Sequence, residues 1–284
     1  SVAEEVPWMG PVATVATWLM FGGVVLLAIL PHLGVIVWSL AGDWMNSILP
    51  TAWTGEHLRE VIDRPQSYNS IINSLRYAGV STVIDLGLGG LIAYLLVRTR
   101  ARGRGVLDAM AMLPLAVPGM ILAAGYMAIT APGKPLAGIG PEGNPFLILV
   151  IAYAVRRLPF VVRGLSAGLE QIPPSLEEAA RNLGASRART AWRITLPLIT
   201  ASLIAATVLT FSFAMLEVSD SLLLAQERMD YPITKEIYKL ATAGTPDAIN
   251  RAAAMGVYAM GLLGLTMAVA AVLLGKKLGA IFRA

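Results

Sequence analysis

The sequence predicts an all-α, polytopic membrane protein of about six transmembrane helices, with one polar loop that carries a helix of its own. Three observations support this. The 284 residues are 56% hydrophobic and only 14% charged, with mean hydropathy +0.67, a balance that soluble domains rarely reach. Several apolar segments are long enough to cross roughly 30 Å of hydrocarbon. Arginine and lysine gather in alternate loops, as the positive-inside rule requires of a multi-pass chain.

Taken in order, the first span covers residues 12–40, with Pro31 as a kink or boundary. The loop after it holds a capped amphipathic turn at 53–62 that places Leu58, Val61 and Ile62 on one face. Trp44 and Trp53 suit the membrane interface there. The second span covers 71–97, and the third covers 106–130, interrupted by Pro114 and Pro118. The fourth runs from 145 to 162, the fifth from 194 to 224 and the sixth from 252 to 274. Small residues within them (Gly87, Gly89, Gly90, Gly119, Gly125, Gly256, Gly261, Gly264) read as sites of close helix packing.

Loop charge orients the chain. Arg98, Arg100, Arg102 and Arg104 crowd one loop; Arg163, Arg181, Arg187, Arg189 and Arg193 crowd or flank another; Lys276, Lys277 and Arg283 follow the last span. These regions belong in the cytoplasm. Loops 41–69, 131–144 and 225–250 then face outside, and both termini are cytoplasmic.

Several function classes are excluded. The absence of cysteine removes disulfides, thiol catalysis and zinc-thiolate sites. His32 and His57 show no metal-ligand spacing, so no metal is expected. Gly87-Leu88-Gly89-Gly90 lacks the Lys-Ser/Thr of a phosphate loop, so no ATP hydrolysis by this chain is expected. The net charge of +4 follows the loops and shows no aromatic interleaving, which argues against nucleic acid.

The polar loop runs from Pro173-Pro174-Ser175 through Glu178, Ala179 and Ala180 to Gly184 and Ser186, then to Ile194 and Leu196-Pro197. Pro174 is expected to keep the chain out of helix before Ser175. Ser175 with Glu178 three residues on is a capping box. Ala179 and Ala180 leave room for another protein's surface, and Gly184 suits a helix C-terminus. By itself this pattern also fits an ordinary solvated connector.

Glu178-Ala179-Ala180, Gly184 six residues after Glu178, Ile194 ten further on, and Leu196-Pro197 resemble the EAA loop of type I ATP-binding-cassette importer permeases. The Asn73-Ser74-Leu75 opening of the second span resembles the start of that family's core. The resemblance implies a fold of spans with a cytoplasmic coupling helix. It implies a permease rather than an enzyme, with alternating access and no catalytic residues. ATP and Mg would be bound by a partner ATPase dimer. A second permease subunit, identical or paralogous, and an extracytoplasmic solute-binding protein would complete the assembly. The organisation expected is an N-terminal helix and outer loop (1–68), a permease core (69–275) containing the coupling loop (173–197), and a cytoplasmic tail (276–284). Residues 1–11 carry Glu4 and Glu5 but no lysine or arginine, unlike a signal peptide; the chain reads as trimmed or as half of a fused permease.

Charges inside spans need a reason, because burial without a partner is expensive. Asp85 falls in the second span, Arg156 and Arg157 in the fourth, and Glu217 and Asp220, three residues apart on one helical face, in the fifth. Two readings stand: internal ion pairs, or a translocation path. The polar stretch 215–224, ahead of Tyr231-Pro232-Ile233-Thr234, resembles the ferric iron, thiamine and polyamine permease group. Ferric iron is the leading substrate; polyamine, thiamine, sugar or phosphonate are alternatives. A secondary transporter or an intramembrane enzyme is the alternative of another class. The former would be favoured by an inverted repeat and the latter by a nucleophile or metal motif, and neither signal is evident.

Overall fold

The computed structural model describes residues 10–44 and 47–281, except the side chains of 276–281. The expectations for Lys276, Lys277 and Arg283, and for the first nine residues, therefore lie outside the described residues. Helix α1 (Pro11–Leu40) is continuous through Pro31. A two-stranded antiparallel ribbon, β1 (Ala41–Asp43) and β2 (Ala52–Trp53), leads to α2 (Glu56–Asp63). Helix α3 (Pro65–Arg98) starts earlier than expected, because a proline at the first helical position lacks only an N–H that would be unpaired anyway.

The third expected span is broken. Helix α4 (Arg104–Met112) passes through a tight turn into α5 (Gly119–Ile129), and the two limbs bend by 102° where Pro114 and Pro118 remove backbone donors. Helix α6 (Phe146–Glu170) is longer than expected. The polar loop holds α7 (Pro174–Asn182), α8 (Arg187–Thr190), a π-helical turn (Ala191–Thr195) and α9 (Leu196–Leu198). After a 75° bend, α10 (Thr200–Met215) follows, then α11 (Ser219–Leu224), α12 (Ile233–Ala241) and α13 (Pro246–Ile281). The fifth expected span is therefore interrupted twice. Among the described residues α1, α3 and α13 are long and apolar enough to cross a membrane, and five crossings result if each bent pair makes one. Helix α6 has the length for a sixth, at 25 residues, but carries Arg156, Arg157 and Arg163.

Helices α3 and α6 run side by side in the same direction. Tyr77 meets Tyr153 edge-on with centroids 6.0 Å apart. Further along, Gly89 lies so close to Val161 that a Cβ would come within 2.7 Å of it. At the far end Arg98 reaches the Leu169 carbonyl at 2.8 Å. Lipid tails are as apolar as leucine, so close approach of this kind holds the helices together. At Gly87, Gly125, Gly261 and Gly264, by contrast, an added Cβ would meet nothing within 4 Å among the described residues, so these four show no close packing there.

Loops 41–69 and 225–250 form a joint cap at the end opposite Arg98. Asn73 Nδ2 donates to the Met229 carbonyl at 2.7 Å, and Asn250 Nδ2 donates to the Ala41 carbonyl at 3.0 Å. Val61, Ile233 and Met255 form the cap's buried core, with Leu58 packed against it. Ile62 departs from the expected shared face and is exposed, because α2 turns only Leu58 and Val61 toward α13.

Candidate functional site

The polar loop is tied to the helix bundle through Glu177. Its Oε1 accepts from Arg98 Nε at 2.9 Å and from Thr195 Oγ1 at 3.1 Å. Arg98 also donates to the carbonyls of Leu169 (2.8 Å) and Ile172 (2.9 Å), which places a cation on the negative end of α6. Both side chains are under 10% exposed, so the pair is strongly held.

The capping box does not form. Helix α7 begins at Pro174 with Pro173 as its cap, so Ser175 lies inside the first turn and is not the capping residue. Proline's fixed φ suits the first helical position, and the helix starts two residues earlier than the Ser175 cap implied. Ser186 is the capping serine of the loop, accepting from the Arg189 N–H ahead of α8. Gly184 has φ +86°; its N–H donates to the Arg181 carbonyl at 2.9 Å, and the Ala185 N–H donates to the Ala180 carbonyl at 3.0 Å. This is a Schellman closure, which favours glycine at that position.

Ser175, Glu178 and Ala179 lie on the exposed side of α7, whereas Ala180 is buried against the loop. Ile194 and Leu196 are half-buried and Pro197 is exposed. Leu183, at the tip of the loop, is 90% exposed. Neither Glu177 nor Leu183 was singled out in sequence. A leucine immediately before the terminating glycine was the available signal for the second.

The intramembrane charges form a network. Arg156 grips Asp220 with two nitrogens, at 3.2 and 3.3 Å, and lies 3.6 Å from Glu217. Arg157 pairs with Glu217 and donates to the Phe213 carbonyl at 2.9 Å. Glu217 and Asp220 do not share a helical face. Glu217 sits in the break between α10 and α11, and its Oε1 accepts the Asp220 N–H at 2.9 Å. A carboxylate that takes a backbone donor in this way competes with helix continuation. Helix α12 braces the break: Thr234 bonds the Glu217 carbonyl, and Lys235 Nζ donates to the carbonyls of Leu222 (2.9 Å) and Ala225 (2.6 Å). Burial there, with Lys239 nearby, holds the Lys235 ammonium below the usual lysine range.

Asp85 stands apart. It is 1% exposed, and neither carboxylate oxygen has a hydrogen-bond partner among the described residues. It lies one helical turn before Gly89, just as Arg157 lies one turn before Val161, so the two share a level of the α3–α6 contact.

At the capped end His57, Glu60 and Asp247 bring ligand atoms within 4.8 Å of one another. Sequence spacing hid this grouping because Asp247 comes from a distant helix. Arg251 pairs with Asp247 at 3.1 Å and approaches Glu60 at 3.8 Å, so it already supplies a positive charge there.

The chain thus has several helices long and apolar enough to cross a membrane, and an exposed polar helix anchored to its bundle. Residues 86–280 match the family described as binding-protein-dependent transport system inner membrane component, and the chain belongs to it: it is the permease component of an ABC importer. A probable molybdenum ABC transporter permease of Haloferax volcanii is 31% identical over 240 residues, covering 80% of this chain and 81% of that protein. A ferric transport system permease of Actinobacillus pleuropneumoniae is 35% identical over 154 residues, 54% of this chain. The match spans only 22% of that relative's length. A chain of a bacterial ABC transporter involved in the import of the acidic polysaccharide alginate has the same fold, with TM-score 0.72, 20% identity, and coverage of 91% of this chain and 96% of that one.

Proposed function

We propose that this permease is driven through loop 173–197 by a cytoplasmic ATPase dimer, which binds the ATP and Mg. It takes solute from an extracytoplasmic binding protein and works beside a second permease subunit, with both termini cytoplasmic. The observation that carries this reading is the Arg98–Glu177 link, because it makes α7 a rigid extension of α3 and α6. Movement of α7 is then transmitted to the helices as a rigid-body switch between inward- and outward-facing states. Ser175, Glu178 and Ala179, with Leu183 beside them, form the docking face; Ala180 and Gly184 shape it, and Ile194, Leu196 and Pro197 lead back to the bundle. Residues 69–275 form the core of the permease.

The leading substrate is ferric iron, supported by the match to the ferric permease. Molybdate or sulfate is the second reading, favoured by relatives such as the molybdenum permease of Escherichia coli and by the arginine pairing of Glu217 and Asp220, which leaves those carboxylates no free charge for a cation. The test is uptake into proteoliposomes holding the permease, its ATPase and its binding protein, with ferric iron, molybdate and sulfate in parallel. ATP-dependent accumulation of one ion identifies the substrate. Accumulation without ATPase would overturn the permease-subunit reading.

A further inference from the structure

A cavity of about 880 Å³ opens between the end of α3 and the segment α8 to α10. One wall is apolar: Leu86, Leu91 and Leu203. The rim carries Arg100, Arg181 and Arg187, all exposed. The only carboxylate in the lining is Glu177, and Arg98 already neutralises it at 2.9 Å. Three guanidinium groups thus face the opening with no carboxylate partner among the described residues. Trp192, 72% exposed, also lies in the lining, the kind of side chain that favours the headgroup level of a bilayer.

We infer that this cavity binds an acidic phospholipid, with its phosphate on Arg100, Arg181 and Arg187 and an acyl chain along the leucine wall between α3 and α10. Each half of the site matches one half of that ligand. A soluble anion has no use for the leucine wall, and a zwitterionic lipid brings no net charge to three cations. Gly87 lies on the same wall, and a Cβ there would meet nothing within 4 Å among the described residues, so the groove has room beside α3. The inference rests on the family's membrane placement and not on the ATPase-coupling role of the loop.

The test uses the full chain purified in detergent and offered dioleoylphosphatidylglycerol, dioleoylphosphatidylcholine or inorganic phosphate, with retained ligand counted by native mass spectrometry. Phosphatidylglycerol is expected to be retained in preference to the other two. Replacing Arg100, Arg181 and Arg187 by glutamine should lower its retention about tenfold or more, since each cation near an anionic lipid contributes appreciably. Gly87→Trp should lower it with every arginine in place, by filling the groove. Arg59→Gln with Arg64→Gln, at the other end of the molecule, should change nothing. Unchanged thermal melting of these variants shows that the fold is intact. Three results would overturn the inference. Retention of phosphate equal to that of the lipid means a soluble-anion site. Full retention by Gly87→Trp means the chain lies elsewhere. Equal retention of the two lipids, with the cavity variants altering only the oligomeric state, means a second permease chain fills the cavity.

Discussion

Arg98, the last residue of α3, is held 2.9 Å from Glu177 in the first turn of α7 and at the same time closes the end of α6 through the Leu169 and Ile172 carbonyls. One guanidinium thus joins α3 and α6 to the loop. Glu177→Ala should destabilise the protein by about 3–5 kcal/mol, because it leaves a buried cation without its partner. The double variant Arg98→Met with Glu177→Met should recover much of that loss while still uncoupling ATP hydrolysis from uptake. Thermal unfolding beside proteoliposome uptake checks both. Equal melting of all the variants would show that the pair carries no structural weight.

Gly184→Val should be inserted normally but should weaken ATPase association. A β-branched residue at φ +86° costs about 1–2 kcal/mol and distorts the closure of α7. Gly184→Asn, which tolerates the left-handed region better, should keep most of the coupling. Pull-down of the ATPase by each variant reads the difference.

The loop's general form was legible in sequence because proline and glycine mark backbone conformation directly. The EAA-like spacing pointed to the family for the same reason. The helix start was misplaced because a serine three residues before a glutamate is a capping signal only where no proline takes the first helical position. Glu177 and Glu178 are neighbours in sequence, and only the tertiary fold decides that one turns inward to Arg98 while the other stays exposed. The break at Glu217 was likewise hidden. The polar stretch 215–224 holds no proline or glycine to mark a break, and what ends α10 is a side-chain bond to the Asp220 N–H together with bracing from α12.

Glu217→Gln should destabilise the protein by several kcal/mol, since Arg157 then loses its buried charge partner. Asp85→Asn should leave melting unchanged or raised, because the carboxylate it replaces is buried with no hydrogen bond to lose among the described residues. Differential scanning fluorimetry of the two variants separates them. A large loss for Asp85→Asn with none for Glu217→Gln would reverse the assignment of structural pairs.

Single cysteines at Gly103 and Ser186 should react with an impermeant thiol reagent only from the cytoplasmic side, and those at Gly133 and Ala243 only from outside. The native chain has no cysteine, so the background is clean. Reversed labelling would invert the orientation.

The most direct test of the docking claim is Leu183→Glu. Leu183 is 90% exposed, so the substitution should leave melting and membrane insertion of the permease as they are. It places a charge on the tip of the loop proposed to enter the ATPase. The measurement is ATPase co-purification together with substrate-stimulated ATP hydrolysis in the reconstituted complex. The predicted result is loss of both with an unchanged melting temperature. Full association and full stimulation would contradict the assignment of loop 173–197 as the element through which this permease is driven.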